Sequence, residues 1–170
     1  MLVEVQALVA PTVLGTPRRA VVGWDGTRLA MIAAVLDARC GLSVGANDIY
    51  LNVAGGLRIV EPAADLAVAA ALVSALTERP VPGDTVVFGE IALSGEVRPV
   101  GHTDSRLKEA AKLGFTEAWM PIRRGKSREM VAPGFAASPI RHLNELIERL
   151  APARSPLGPQ PRQHRIGVAS

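Results

Sequence analysis

Hydrophobic and polar positions follow two rhythms along this chain, and the switch between them predicts most of its elements. From Leu2 to Val9 the set Leu2, Glu4, Gln6, Leu8 alternates with Val3, Val5, Ala7, Val9, which gives a strand with one apolar and one mixed face. After a loop from Pro11 to Pro17, Arg19 to Gly23 resumes as a strand, and the two are expected to pair as a hairpin with a longish connection. Trp24-Asp25-Gly26 turns the chain, with Trp24 expected as a lid on the core edge. Leu29, Ile32, Ala33, Leu36 and Cys40 then fall on one helical face that Gly41 closes. Asp48 to Ala54 returns to the period of two, with Ile49, Leu51 and Val53 on one side, and Gly55-Gly56 ends it.

A different pattern begins at Pro62, whose missing N–H suits a first helical turn. Ala63 to Leu76 carries one charge, Asp65, before Glu78-Arg79-Pro80 stops the run, so this helix is expected to be buried nearly all round. Thr85 to Phe88 is a β-branched and aromatic run, and Gly89, Gly95 and Gly101 punctuate what reads as a β-hairpin. Thr103 is positioned to cap a helix in which Leu107, Ala110 and Ala111 recur at helical spacing, and Gly114 to end it in the left-handed conformation. Glu117 to Met120 reads as another strand, and Ile140, Leu143, Leu146, Ile147 and Leu150 as a closing amphipathic helix from Ile140 to Leu150.

Composition narrows this to one α+β domain. The 170 residues, 48% of them hydrophobic, suffice for a single core; aromatics at 4% make that core aliphatic and leave little to stack on nucleic-acid bases. Residues 1–150 are expected to form the domain and residues 151–170, rich in proline and arginine, a flexible tail. Cys40, the single cysteine, allows no intrachain disulfide and no cysteine zinc site, and is expected as a small buried hydrophobe. His102, His142 and His164 lack ligand-spaced partners, so no metal site is expected. No apolar run reaches the roughly 20 residues of a membrane span and no signal peptide opens the chain, so a cytoplasmic location without membrane partners is expected. Gly125-Lys126-Ser127 fails as a phosphate loop, because Met120 stands where the motif needs its first glycine. A net charge of +3 favours a polyanionic partner only weakly.

Strand, buried helix, G-E-I-x-L-x-G-x-V-x-P-x-G from Gly89 to Gly101 and a further helix occur in the order of the Lon protease proteolytic domain, which this chain resembles. The resemblance implies a Lon-like α+β fold of the ribosomal-protein domain 2-like type. Where Lon-type peptidases carry G-P-S-A-G with the serine nucleophile, this chain has Glu61-Pro62-Ala63-Ala64-Asp65, and the lysine base aligns with Arg106. Ala63 has no nucleophile, and the arginine is no neutral base near neutral pH. Val3 to Val9, Pro17-Arg18-Arg19, Asn52 to Arg58 and Glu61 to Ala67 are more specifically similar to the C-terminal, degenerate Lon-like domain of the RadA (Sms) family of bacterial DNA-repair and recombination proteins. That family joins the domain to a zinc finger and a RecA-like ATPase.

The resemblance implies no catalytic residue and no cofactor in this chain, with ATP, magnesium and zinc belonging to domains absent from it. It implies a non-catalytic scaffold and DNA-binding domain of an ATP-dependent branch-migration motor, with single-stranded or branched DNA, further copies in a hexameric ring and a RecA-type recombinase as partners. An active Ser-Lys peptidase and a stand-alone Lon-like binding module are the alternatives; Ser105 beside Lys108 is the local serine–lysine pair worth naming, and at i, i+3 on one helix it is expected as a capping or surface pair. Candidate DNA-binding residues are Lys108 and Lys112, four apart on one helix side, and Arg123, Arg124, Lys126 and Arg128 in the loop after the next strand. Contacts to phosphates rather than bases are expected.

Overall fold

The computed structural model describes residues 2–13, 15–123 and 131–151. Its fold is mixed α+β, built on two three-stranded sheets and a short hairpin. In the first sheet β3 (Asn47–Val53) lies centrally, antiparallel to β1 (Val5–Pro11) and parallel to β2 (Arg19–Val22). The expected β1–β2 hairpin is therefore corrected: β3 inserts between the two strands. A parallel pair needs a crossover, and helix α1 (Gly26–Cys40) provides it between β2 and β3. Asp25 caps α1 by accepting from the Arg28 amide at 2.7 Å, and Gly41 closes it at φ 69°.

Helix α2 (Asp65–Thr77), entered through a 3-10 turn at Pro62–Ala64, packs along β1 and also meets α1 and α4 (Leu143–Leu150). Leu66, Val68, Ala69, Leu72 and Val73 are fully buried, and no residue from Ala63 to Thr77 is exposed. It is buried nearly all round, as its composition predicts, with Ala67, Ala71 and Ser74 only half-buried.

The second sheet is parallel, with β7 (Glu117–Met120) between β4 (Thr85–Val87) and β8 (Ala136–Pro139). Helix α3 (Thr103–Lys112) crosses over from β4 to β7 and packs Leu107 beside Phe88, Ala118 and Met120. Trp119 joins the other apolar cluster, with α1, α2 and α4, so β7 is buried on both faces. The strands β5 (Glu90–Ile91) and β6 (Val97–Arg98) form the expected antiparallel hairpin.

Two boundaries and one burial differ from expectation. Thr103 is the first residue of α3 rather than its cap: His102, at φ 60°, holds that place, and the Thr103 hydroxyl donates to the Val100 carbonyl at 3.1 Å. Helix α4 starts at Leu143, because Ile140 follows β8 and His142 is the cap. Cys40 is half-buried, and burial pushes its thiol pKa up. At the other end of α3, Gly114 (φ 90°) and Phe115 donate to the Ala111 and Ala110 carbonyls, ending the helix as expected. Among the described residues no helix is long and apolar enough to cross a membrane.

Candidate functional site

The alanines of α2 cannot fill the space beside it. An open groove of about 1380 Å³ runs there, floored by Ala63, Ala67, Ala71 and Ser74, walled by Val5 and Ala7 of β1 and by Val86 to Phe88, and bordered by Arg106. Both walls are sheet edges. The bond from the Ala54 amide to the Glu4 carbonyl sets the phase of the β1–β3 ladder, so the backbone groups of Val5, Ala7 and Val9 point away from β3. On β4, Phe88 donates to the Trp119 carbonyl and Glu117 to the Asp84 carbonyl, which turns the Val87 backbone away from β7.

Ala63 and Arg106 line this same groove, Ala63 buried at its floor. Two nitrogens of the Arg106 guanidinium are engaged: one terminal nitrogen contacts Glu61 and Nε donates to the Gly101 carbonyl at 3.0 Å, while the group stacks over Phe88 at 5.9 Å. Ser105 borders the groove, whereas Lys108, three residues on in α3, does not. The backbone at the helix entrance is stitched to the strand after β4, since Gly89 donates to the Ala63 carbonyl at 2.8 Å and Leu66 donates to that of Gly89 at 3.0 Å.

Asp65 does not line the groove. Its carboxylate, 1% exposed, accepts from Arg28 Nε at 2.5 Å, from the second Arg28 nitrogen at 2.6 Å and from the Ile91 amide at 3.0 Å. The bond to Asp65 raises the Arg28 pKa above its ordinary value, against the opposing effect of burial. One carboxylate thus ties α1, α2 and β5 together. Sequence reasoning missed this tie, though a lone carboxylate in an otherwise buried helix requires a partner and was the available signal.

Of the candidate nucleic-acid contacts, Lys108 and Lys112 are exposed on α3, opposite buried Leu107 and Ala110, and Ala111 is half-buried. Neither lysine has an ion-pair partner among the described residues. Arg123 instead contacts Asp104, in the first turn of the same helix. Arg124, Lys126 and Arg128 lie outside the described residues, as do positions 152–170 of the expected tail. Among the described residues no cluster of His, Cys, Asp or Glu could hold a metal.

A family model described as subunit ChlI of Mg-chelatase matches residues 5–124, and the chain belongs to that family. It is 65% identical over 126 residues to the DNA repair protein RadA of Brucella abortus, an overlap of 74% of this chain and 27% of that protein. It is 48% identical over 148 residues to the DNA repair protein RadA of Rickettsia prowazekii (87% and 32%). The same name belongs to a relative in Aquifex aeolicus, 48% identical over 150 residues (88% and 33%). These similarities mark the chain as a RadA-type domain. It spans about a quarter to a third of the length of these relatives.

Proposed function

We propose that this chain is the non-catalytic, Lon-like scaffold and DNA-binding domain of a RadA-type DNA repair protein. The observation that carries the reading is the exposed face of α3. Lys108 and Lys112 stand there without ion-pair partners among the described residues, while in the groove the two dyad positions are filled by the Ala63 methyl and by an arginine already engaged. The face offers charge without aromatic side chains, so it suits phosphates of single-stranded or branched DNA rather than bases. In the intact protein, an ATPase outside this chain would use ATP and magnesium to drive branch migration, beside a zinc-binding module, in the cytoplasm. Head-to-tail contacts between copies would close a ring, a hexamer by the family resemblance, in which repeated weak sites add up and a RecA-type recombinase can be met.

The test is binding of a labelled oligonucleotide by the parent and by Lys108→Ala/Lys112→Ala over a salt series. Loss of the two lysines is expected to weaken binding and to flatten the log-log salt slope by about 0.7 to 0.9 per lost phosphate contact. Unchanged affinity and slope would remove α3 from the DNA surface.

The groove favours a second reading, a binding module for an extended polypeptide. Its two walls are sheet edges whose outward backbone groups could pair with an added strand. Substituting Ala67→Phe would fill the floor, and a peptide ligand that still bound this variant with undiminished affinity would not be seated there.

A further inference from the structure

The structure holds a carboxylate on the face proposed to meet DNA. Asp104, Lys108 and Lys112 are four residues apart in turn, so they share one side of α3 at about 6 Å per step along the axis. Arg123 reaches Asp104 through one terminal nitrogen, and the remaining guanidinium nitrogens have no bond among the described residues. The resulting stripe carries three cations and one anion, with the anion at the N-terminal end.

The two members of the pair differ in freedom. The Asp104 side chain is 70% exposed and that of Arg123 24% exposed, so the guanidinium lies against the surface while the carboxylate stands in water. A phosphate approaching Arg123 meets a site already filled by a group of like charge and similar oxygen geometry. Displacing Asp104 requires only its rotation into solvent, where it is readily hydrated. Displacing Arg123 would uncover the surface beneath it.

We infer that Asp104 is an intramolecular stand-in for a DNA phosphate, which holds Arg123 ready and lowers the affinity of the α3 face until a backbone phosphate replaces it. The inference rests on the reading of α3 as a phosphate-binding face. Such a contact tunes the site rather than closing it, because Lys108 and Lys112 stay open to the first encounter and Arg123 engages afterwards. It also keeps the isolated stripe less basic, which disfavours other polyanions that cannot reach all three cations at once.

The experiment compares binding of a labelled single-stranded oligonucleotide to the full chain, over a salt series, for the parent, Asp104→Asn, Glu109→Gln, Arg123→Ala and Asp104→Asn/Arg123→Ala. Glu109 is exposed on the same helix, and its substitution removes the same charge without freeing Arg123. Asp104→Asn is expected to tighten binding by about two- to five-fold, the range that a surface ion pair spans. The salt slope should stay that of the parent, because the same phosphates are neutralised in both complexes and only the cost of opening the Arg123–Asp104 pair is removed. The gain should vanish in the Arg123→Ala background and be smaller for Glu109→Gln. Weaker or unchanged binding by Asp104→Asn, a gain that survives Arg123→Ala, or an equal gain from Glu109→Gln would overturn the inference while leaving the α3 reading intact. If Lys108→Ala/Lys112→Ala binds as the parent does, the reading itself fails and the inference falls with it.

Discussion

Breaking the Arg28–Asp65 pair should cost different amounts depending on which partner is removed. Asp65 is 1% exposed, whereas 31% of the Arg28 side chain remains in water. In Arg28→Met the aliphatic packing is kept, but a buried carboxylate loses two of its three hydrogen bonds and retains only that from the Ile91 amide. Uncompensated buried charge of this kind costs about 3–5 kcal/mol. In Asp65→Asn an acceptor oxygen still serves the Ile91 amide, and the freed guanidinium can turn outward to water. That change should cost about 1–3 kcal/mol. Urea unfolding of both variants reads the difference as a shift in midpoint at constant slope, with a gap on the order of 2 kcal/mol expected. Replacing both groups by apolar ones, as Arg28→Met/Asp65→Leu, should cost less than the sum of the single changes, because no charge is left stranded. If Asp65→Asn proves as costly as Arg28→Met, the asymmetry of burial does not govern the pair and the reasoning is wrong.

Three further outcomes can be measured. Gly23→Ala should destabilise by about 2–4 kcal/mol in the same unfolding assay, because φ is 78° and a Cβ would sit 2.4 Å from the Leu57 carbonyl oxygen and 2.7 Å from Val53 Cβ; a midpoint within error of the parent would refute the close approach. Bonds from the Arg18 amide and the Thr12 hydroxyl hold the Asp48 carboxyl below the usual carboxylate range. Its contribution to stability is therefore complete above that range and is lost as pH falls through the lowered value, so the stability difference between parent and Asp48→Asn should shrink on acidification; a difference independent of pH would contradict this. Finally, Ala63→Ser/Arg106→Lys should show no turnover of casein or small peptides. A lysine at that position sits beside Glu61, which keeps it protonated; measurable cleavage would show that the groove still positions a scissile bond.

Elements with a strong local period were legible in the sequence, and those that depend on a distant partner were not. Ile49, Leu51 and Val53 announce β3 by alternation, and the apolar run after Ala63 announces a helix buried nearly all round. Ala136-Ala137-Ser138-Pro139 has no such pattern; β8 exists because β7 offers it a parallel edge. The expected β1–β2 hairpin does not form because neighbours along the chain need not be neighbours in a sheet, and β3 pairs with seven residues of β1 where the four of β2 could pair with fewer. At the candidate site, Lys108 and Lys112 follow from helical spacing alone, whereas the positions of Ala63 and Arg106 followed only from the family resemblance. The carboxylates facing Arg106 and Arg123, Glu61 and Asp104, lie 45 and 19 residues away in sequence, a separation that no local rule bridges.

The alternation along β7 bears on how the molecule comes apart. Ala118 and Met120 belong to one apolar cluster and Trp119 between them to the other, so the two clusters stand a single peptide bond apart along the strand. Melting either cluster alone would require a single strand to be ordered at one residue and disordered at the next. The backbone cannot do this without losing the ladder to β4 and β8 on both sides. The two clusters therefore form one cooperative unit, and the calorimetric and van't Hoff enthalpies of unfolding should coincide. A natural reporter sits at the junction: Trp119, whose indole N–H is buried without an acceptor among the described residues and whose ring lies under the Arg149 guanidinium at 5.5 Å, should change its fluorescence in step with the far-ultraviolet signal of helices α1 to α4.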